Sequence, residues 1–281
     1  MSYENRLPRE GINVSEDHPL KEFFILLAGF AGVIVLLVFL LSLFAGWLVR
    51  YIPFELERSW SEKALVASSD LIPSLNSDQQ IVEKYLQNLA DELSAAQSLP
   101  DGMVIQVHYV DDDTVNAFAT LGGHVVMFRG LLEQLPHENA LAMVMAHEIA
   151  HIKHRDPLVA LSRGLTVGLA LASISGLGES GLAQQFVGQL GLLTSLSFSR
   201  QQEVAADEQA MESLMAYYGH VVGAQALLEV LQDNSSDLEP PVFLSTHPLT
   251  EKRIEVLAAY REHDFVPGEI TPLPSFILQS K

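Results

Sequence analysis

The sequence predicts a mainly helical α+β domain behind a single transmembrane helix, and three observations carry that reading. Phe23 to Val49 runs 27 residues without a charge. Several segments beyond it have helical apolar spacing, while strand-like patterning is confined to short stretches between 103 and 128. The chain has 281 residues, 48% of them hydrophobic, which permits one globular domain plus an anchor. Its net charge of -19 argues against binding nucleic acid through a basic surface. With no cysteine there can be no disulfide, thiolate nucleophile or iron–sulfur cluster.

Taken in order, residues 1–22 are polar and read as a flexible segment. The apolar run 23–49 exceeds the roughly 20 residues that span a bilayer, and its acidic leader and length argue against a removable signal. Basic residues balance on its two sides, Arg6, Arg9 and Lys21 against Arg50, Arg58 and Lys63, so charge leaves the orientation open. Residues 50–70 read as a juxtamembrane connector, 71–263 as the main domain and 264–281, with its prolines, as an extended tail.

Within the domain, Asn76 can cap a helix with Ile81, Val82, Tyr85, Leu86, Leu89 and Leu93 on its apolar face. Met103 to Val110 and short segments around Asn116–Phe118 and His124–Phe128 make a small sheet. An edge strand there can pair with an extended peptide, with Asn116 beside it and Gly123 allowing close approach. A glycine pair also suits a tight turn between core strands. A helix then runs from Glu138-Asn139 to Asp156-Pro157.

That helix contains His147-Glu148-Ile149-Ala150-His151. The two histidines stand one turn apart, so both can reach one cation, and Glu148 beside them can take a proton from a water on it. His154 is about 10 Å from His147 along the axis, too far for a third ligand. With no cysteine, a carboxylate from elsewhere is required. Glu203 is the best placed, sharing a face with Asp207 in a helix predicted over Gln201 to Tyr217. On spacing alone that pair reads more readily as a solvated acidic face.

Between the two helices, Gly164 to Gly178 and Ser180 to Ser199 are uncharged. Glu203 and His147 must finish on the same side of any membrane, so both runs cross it or neither does. We expect neither to cross, and two helices over the cleft or resting on the bilayer. Further on, a helix is expected over Val221 to Leu231, a polar loop over Asp233 to Glu239, and a last helix starting at His247-Pro248 with Ile254, Leu257 and Ala258 inward.

His147-Glu148-x-x-His151, Glu203-x-x-x-Asp207, Thr246-His247-Pro248 and Arg253, with Asn116-Ala117-Phe118 and Gly122-Gly123-His124 ahead of them, resemble the M48 family of zinc metallopeptidases over Leu71 to Glu262. The resemblance implies a zincin-like fold with one Zn²⁺ per chain held by His147, His151 and Glu203. It further implies Glu148 as general base, His247 and Arg253 near the substrate or the transition state, and Asp207 as the partner of a ligand histidine. Resemblance to bacterial envelope members implies a single-pass protein of the inner membrane, the domain on the periplasmic side, acting on unfolded or misassembled proteins. A membrane-tethered chaperone or scaffold with a structural or self-inhibited zinc site is the competing expectation. The substrate and the oligomeric state are left open.

Overall fold

The computed structural model describes residues 19–67, 75–175, 197–226, 229, 242–263 and 266–277. The N-terminal segment before 19, residues 176–196, residues 227, 228, 230 and 231 of the helix expected over Val221 to Leu231, and the loop Asp233 to Glu239 lie outside them. The expected helix does not begin at Val221: residues 222–225 form a turn, closed by Ala224 N–H on the Val221 carbonyl. Helix α1, Pro19–Leu48, carries the long apolar run and ends in a 3-10 turn, Val49–Tyr51. Among the described residues it is the one helix long and apolar enough to cross a membrane.

The stretch expected as a connector is instead helix α2, Phe54–Ala67, packed into the domain. It buries Phe54, Glu57 and Ser61. Glu57 accepts from Gly122 N at 2.8 Å and pairs with Arg155 at 2.6 Å, so its buried charge is compensated. Gly122 and Gly123, at φ +76 and +87, explain why the glycine pair stands there. A Cβ on Gly123 would fall 2.0 Å from the Val104 carbonyl, and one on Gly122 would fall 3.0 Å from Arg58 Cα. The close approach expected for a substrate is made by the protein's own backbone.

Helix α3, Ser77–Gln97, begins at a capping box formed by Asn76 and Gln79. Its inward face is Val82, Leu86, Leu89, Ala90 and Leu93, while Ile81, expected inside, is 51% exposed. Burial of each leucine contributes about 2 kcal/mol and the cap about 1. Packing therefore holds this helix more than its cap does.

Strand β1, Gln106–Val110, runs parallel to β3, His124–Phe128, and β2, Ala117–Ala119, lies antiparallel to β3 at the other edge. A short helix α4, Arg129–Leu132, leads to α5, Glu138–Lys153. Every residue of α5 from Asn139 to Ile152 is buried, as its apolar and small residues on all sides require. Its neighbours are α3, the sheet and α7, Arg200–Tyr218. Glu138 accepts from Tyr85 of α3 at 2.5 Å and Tyr218 of α7 at 2.9 Å, joining three helices at one end.

Asp156-Pro157 does not simply stop α5. Arg155 takes φ +63, and Asp156 opens α6, Asp156–Ser175. Of the two helices expected over the cleft this is the first, and its principal partner is α1. The half-buried positions Ile34, Val38, Ser42 and Ala45 of α1 form the stripe it covers.

The last two helices correct the C-terminal reading. His247 follows a short helix α8, Val242–Thr246, and α9, Glu251–His263, starts three residues after Pro248. Its inward residues are Arg253, Val256 and Leu257, so Ile254 and Ala258 turn outward. Nor is 266–277 a free tail. Thr271 exchanges hydrogen bonds with Glu138 and Asn139, and Ile277 is buried in the core.

Candidate metal centre

Helices α5 and α7 face each other, and His147, His151 and Glu203 meet between them. His247 reaches the same point from the end of α8. One donor atom from each of the four lies within 4.8 Å of the others, and all four residues are fully buried. His154 caps α5 and stands outside the group.

The hydrogen bonds around the group decide what it can hold. His147 Nδ1 is 2.9 Å from Asp207 and His151 Nδ1 is 2.9 Å from Asp156. His151 donates its Nδ1–H to Asp156, and His147 sets its Nδ1 at ion-pair distance from Asp207, so a carboxylate backs each ring and Nε2 faces inward. The two Nε2 atoms are 3.1 Å apart, with Glu203 oxygens 3.4 and 3.5 Å away. His247 Nδ1 joins them, 3.1 Å from Glu203 and 3.3 Å from His147 Nε2, so nitrogen and carboxylate oxygen donors face one point from four side chains. Such a donor set fits a metal ion.

The acid–base behaviour points the same way. Burial opposes a charge on His147, but Asp207 and Glu203 outweigh it and raise its pKa to about 10. His151 is raised likewise, against burial, by Asp156 and Glu203. Burial also opposes ionisation of Glu203, yet bonds from His147, His151 and His247 hold it well below the usual carboxylate range. His247 goes the other way, lowered chiefly by burial. A site that attracts a proton this strongly attracts any cation its lone pairs can bind.

Glu148 is also fully buried. Its Oε2 accepts from Ala119 N at 2.7 Å, so β2 turns its free edge toward this carboxylate. Its Oε1 lies 3.5 Å from His247 Nε2 and has no hydrogen bond among the described residues. Arg253 is buried and grips Asp207 through Nε at 2.6 Å and Nη2 at 2.9 Å. Its Nη1 lies 2.8 Å from Glu203 and donates to the His247 carbonyl at 3.2 Å. The guanidinium thus spends its donors on the frame of the site.

Asn116 and Gly123 are not brought into the group. Asn116 is buried just before β2, its Oδ1 without a partner among the described residues, and Gly123 packs on Val104. Three neighbours escaped the sequence reading. Asp156 orients His151, Gln202 holds Asp156 through Nε2 at 2.6 Å, and Phe198 stacks on His151 at 4.0 Å. Asp156 lies five residues past His151, where a continuing helix would not return it to the ring. Phe198 lies next to the end of an uncharged run that carries no site signal.

Comparison with known proteins follows the same residues. The chain is 32% identical over 173 residues to the mitochondrial metalloendopeptidase OMA1 of Schizosaccharomyces pombe, covering 60% of this chain and 50% of that one. It is 30% identical over 189 residues to the beta-barrel assembly-enhancing protease of Yersinia pestis, 62% of this chain and 38% of the other. The protein of that name from Escherichia coli K12 is 31% identical over 159 residues, 52% and 32%. The chain thus spans half or less of the length of these relatives. The sequence profile of peptidase family M48 matches residues 79–261, a range that takes in the whole four-donor group, and the chain belongs to that family.

Proposed function

We propose that the protein is a membrane-anchored zinc endopeptidase, and the observation that supports this most is the set of lone pairs converging from His147, His151 and Glu203. In this reading those three hold Zn²⁺. Zinc, when bound, brings the pKa of water to near 7 and polarises a carbonyl. Asp207 and Asp156 keep the ligand rings in the required tautomer, and Arg253 holds Asp207 and Glu203 in place.

Glu148 is the general base. Its free Oε1 takes a proton from the attacking water and can return one to the leaving nitrogen, while Ala119 N–H fixes the other oxygen. An extended peptide pairing with the free edge of β2 would lie along Glu148, which favours unfolded chains as substrates. His247, facing Glu148, suits contact with the peptide carbonyl. Helix α1 anchors the enzyme, and the bacterial relatives are named for enhancing beta-barrel assembly; in this reading the substrates are misassembled envelope proteins and the domain faces the periplasm.

One observation favours a second reading. His247 belongs to the four-donor group, and as a fourth ligand it would close the site, leaving a tethered chaperone or scaffold. The test compares zinc content and cleavage of an unfolded envelope protein between wild type and Glu148→Gln. Zinc in both, with cleavage lost by about 10²-fold or more in the variant, is expected. Equal cleavage by the two removes Glu148 as base, and zinc in both with no cleavage by either favours the closed site.

A further inference from the structure

A second cluster of polar groups lies where α1 leaves its apolar run. A recess of about 350 Å³ opens between the end of α1, the start of α6 and the start of α7. Arg50, Arg163 and His154 line it, together with Asp156, Ser199 and Gln202. Among the described residues, no carboxylate lies within ion-pair distance of either arginine. Asp156 does face the recess, but its two oxygens are taken by His151 and by Gln202.

The position of the recess in depth is marked independently. Trp47 and Tyr51 are both exposed, with rings 5.0 Å apart, at the end of α1, and amphipathic aromatics of this kind lie at the headgroup level. Arg163 crosses α1 one turn before Arg50. A Cβ built on Gly46 would sit 3.5 Å from Arg163 Nε and 3.4 Å from Val159 Cγ1, ordinary contact distances that place Arg163 directly against α1 there. Both guanidiniums are thereby held at the bilayer boundary, provided α1 is the anchor.

Charge decides what such a place can bind. A chain of net charge -19 repels anionic lipid at large, so attraction has to be local. Guanidinium forks match the oxygens of phosphate, and basic pockets between helices at a membrane face suit phospholipid headgroups. We propose that the Arg50–Arg163–His154 recess binds the phosphate of an anionic ligand, supplied by the headgroup of an anionic phospholipid beside α1. Two hydrogen bonds, Gln202 to Asp156 and Asp156 to His151, separate this recess from the metal centre.

The test uses the full chain in phosphatidylcholine nanodiscs carrying a trace of spin-labelled phosphatidylglycerol or spin-labelled phosphatidylcholine. Wild type is expected to immobilise the glycerol lipid preferentially. Arg50→Gln and Arg163→Gln should each reduce that preference about fivefold, with metal content and helicity unchanged. Lys63→Gln, an exposed basic residue on the same side but outside the recess, should leave it intact. A preference that survives both arginine changes, or that Lys63→Gln lowers equally, overturns the proposal. Inorganic phosphate titrated into the chain in zwitterionic detergent separates the sources. Lipid preference without phosphate binding assigns the headgroup. Phosphate binding abolished by Arg163→Gln, without lipid preference, assigns a free phosphate, and absence of both overturns the site.

Discussion

The domain buries two histidine pairs, and they have opposite characters. His147 and His151 have carboxylates behind each ring, and both are raised in pKa. His108 and His124, joined between β1 and β3 at 2.8 Å, have no carboxylate partner among the described residues, and burial lowers both, His124 to about 4. Burial and ring proximity are common to the two pairs. The carboxylates make the difference, turning one pair toward cations and leaving the other neutral.

The largest effect expected from this contrast follows removal of a carboxylate that faces the inward nitrogens. Glu203→Gln replaces a charged proposed ligand by a neutral amide and removes the carboxylate charge 2.8 Å from Arg253 Nη1. Metal content should fall by more than the 10–100-fold that outer partners cost, and proteolysis with it. Stoichiometric zinc in this variant, read by atomic emission, would return Glu203 to the role of a buried structural charge.

A smaller effect is expected one bond further out. Asp207→Asn and Asp156→Asn keep the shape but weaken the hold on His147 Nδ1 and His151 Nδ1. Each should weaken metal affinity about 10–100-fold in chelator competition. Asp207→Asn should cost more, because Arg253 grips the same carboxylate at two points. Equal losses would mean that Arg253 adds nothing to the orientation of His147.

What could be read in the sequence divides along the same lines. His147, Glu148 and His151 were legible because one helical turn fixes their relation, whatever surrounds them. Glu203 required a pattern shared with other proteins, since spacing alone suits a solvated face. Asp156 was hidden by Arg155 in the left-handed region, which folds the chain back by a route no periodicity describes. Helix α2 was missed for a different reason. Its inward residues include Glu57 and Ser61, so the apolar period that announces a packed helix is absent. Tail residues 266–277 dock partly through backbone groups of Thr271, which carry no side-chain signal.

The smallest effect belongs to the sheet pair, and it tests the contrast from the other side. His124→Gln should leave metal content unchanged, because no proposed ligand touches that ring. Acid stability is where it should show. Burial, then the neighbouring His108 and Arg58, depress His124 in the folded chain to about 4, against 6.5 for an ordinary histidine. As pH falls through 6.5 the unfolded chain takes the proton first. The contribution of the neutral ring is therefore complete above 6.5 and declines down to about 4, at no more than about 1.4 kcal/mol per pH unit. Denaturant midpoints of wild type and His124→Gln, followed between those two pH values, should converge on acidification, since only the wild type has this proton to take up. Parallel curves would mean that the pair accepts a proton without cost, and that burial alone does not keep a histidine pair neutral in this fold.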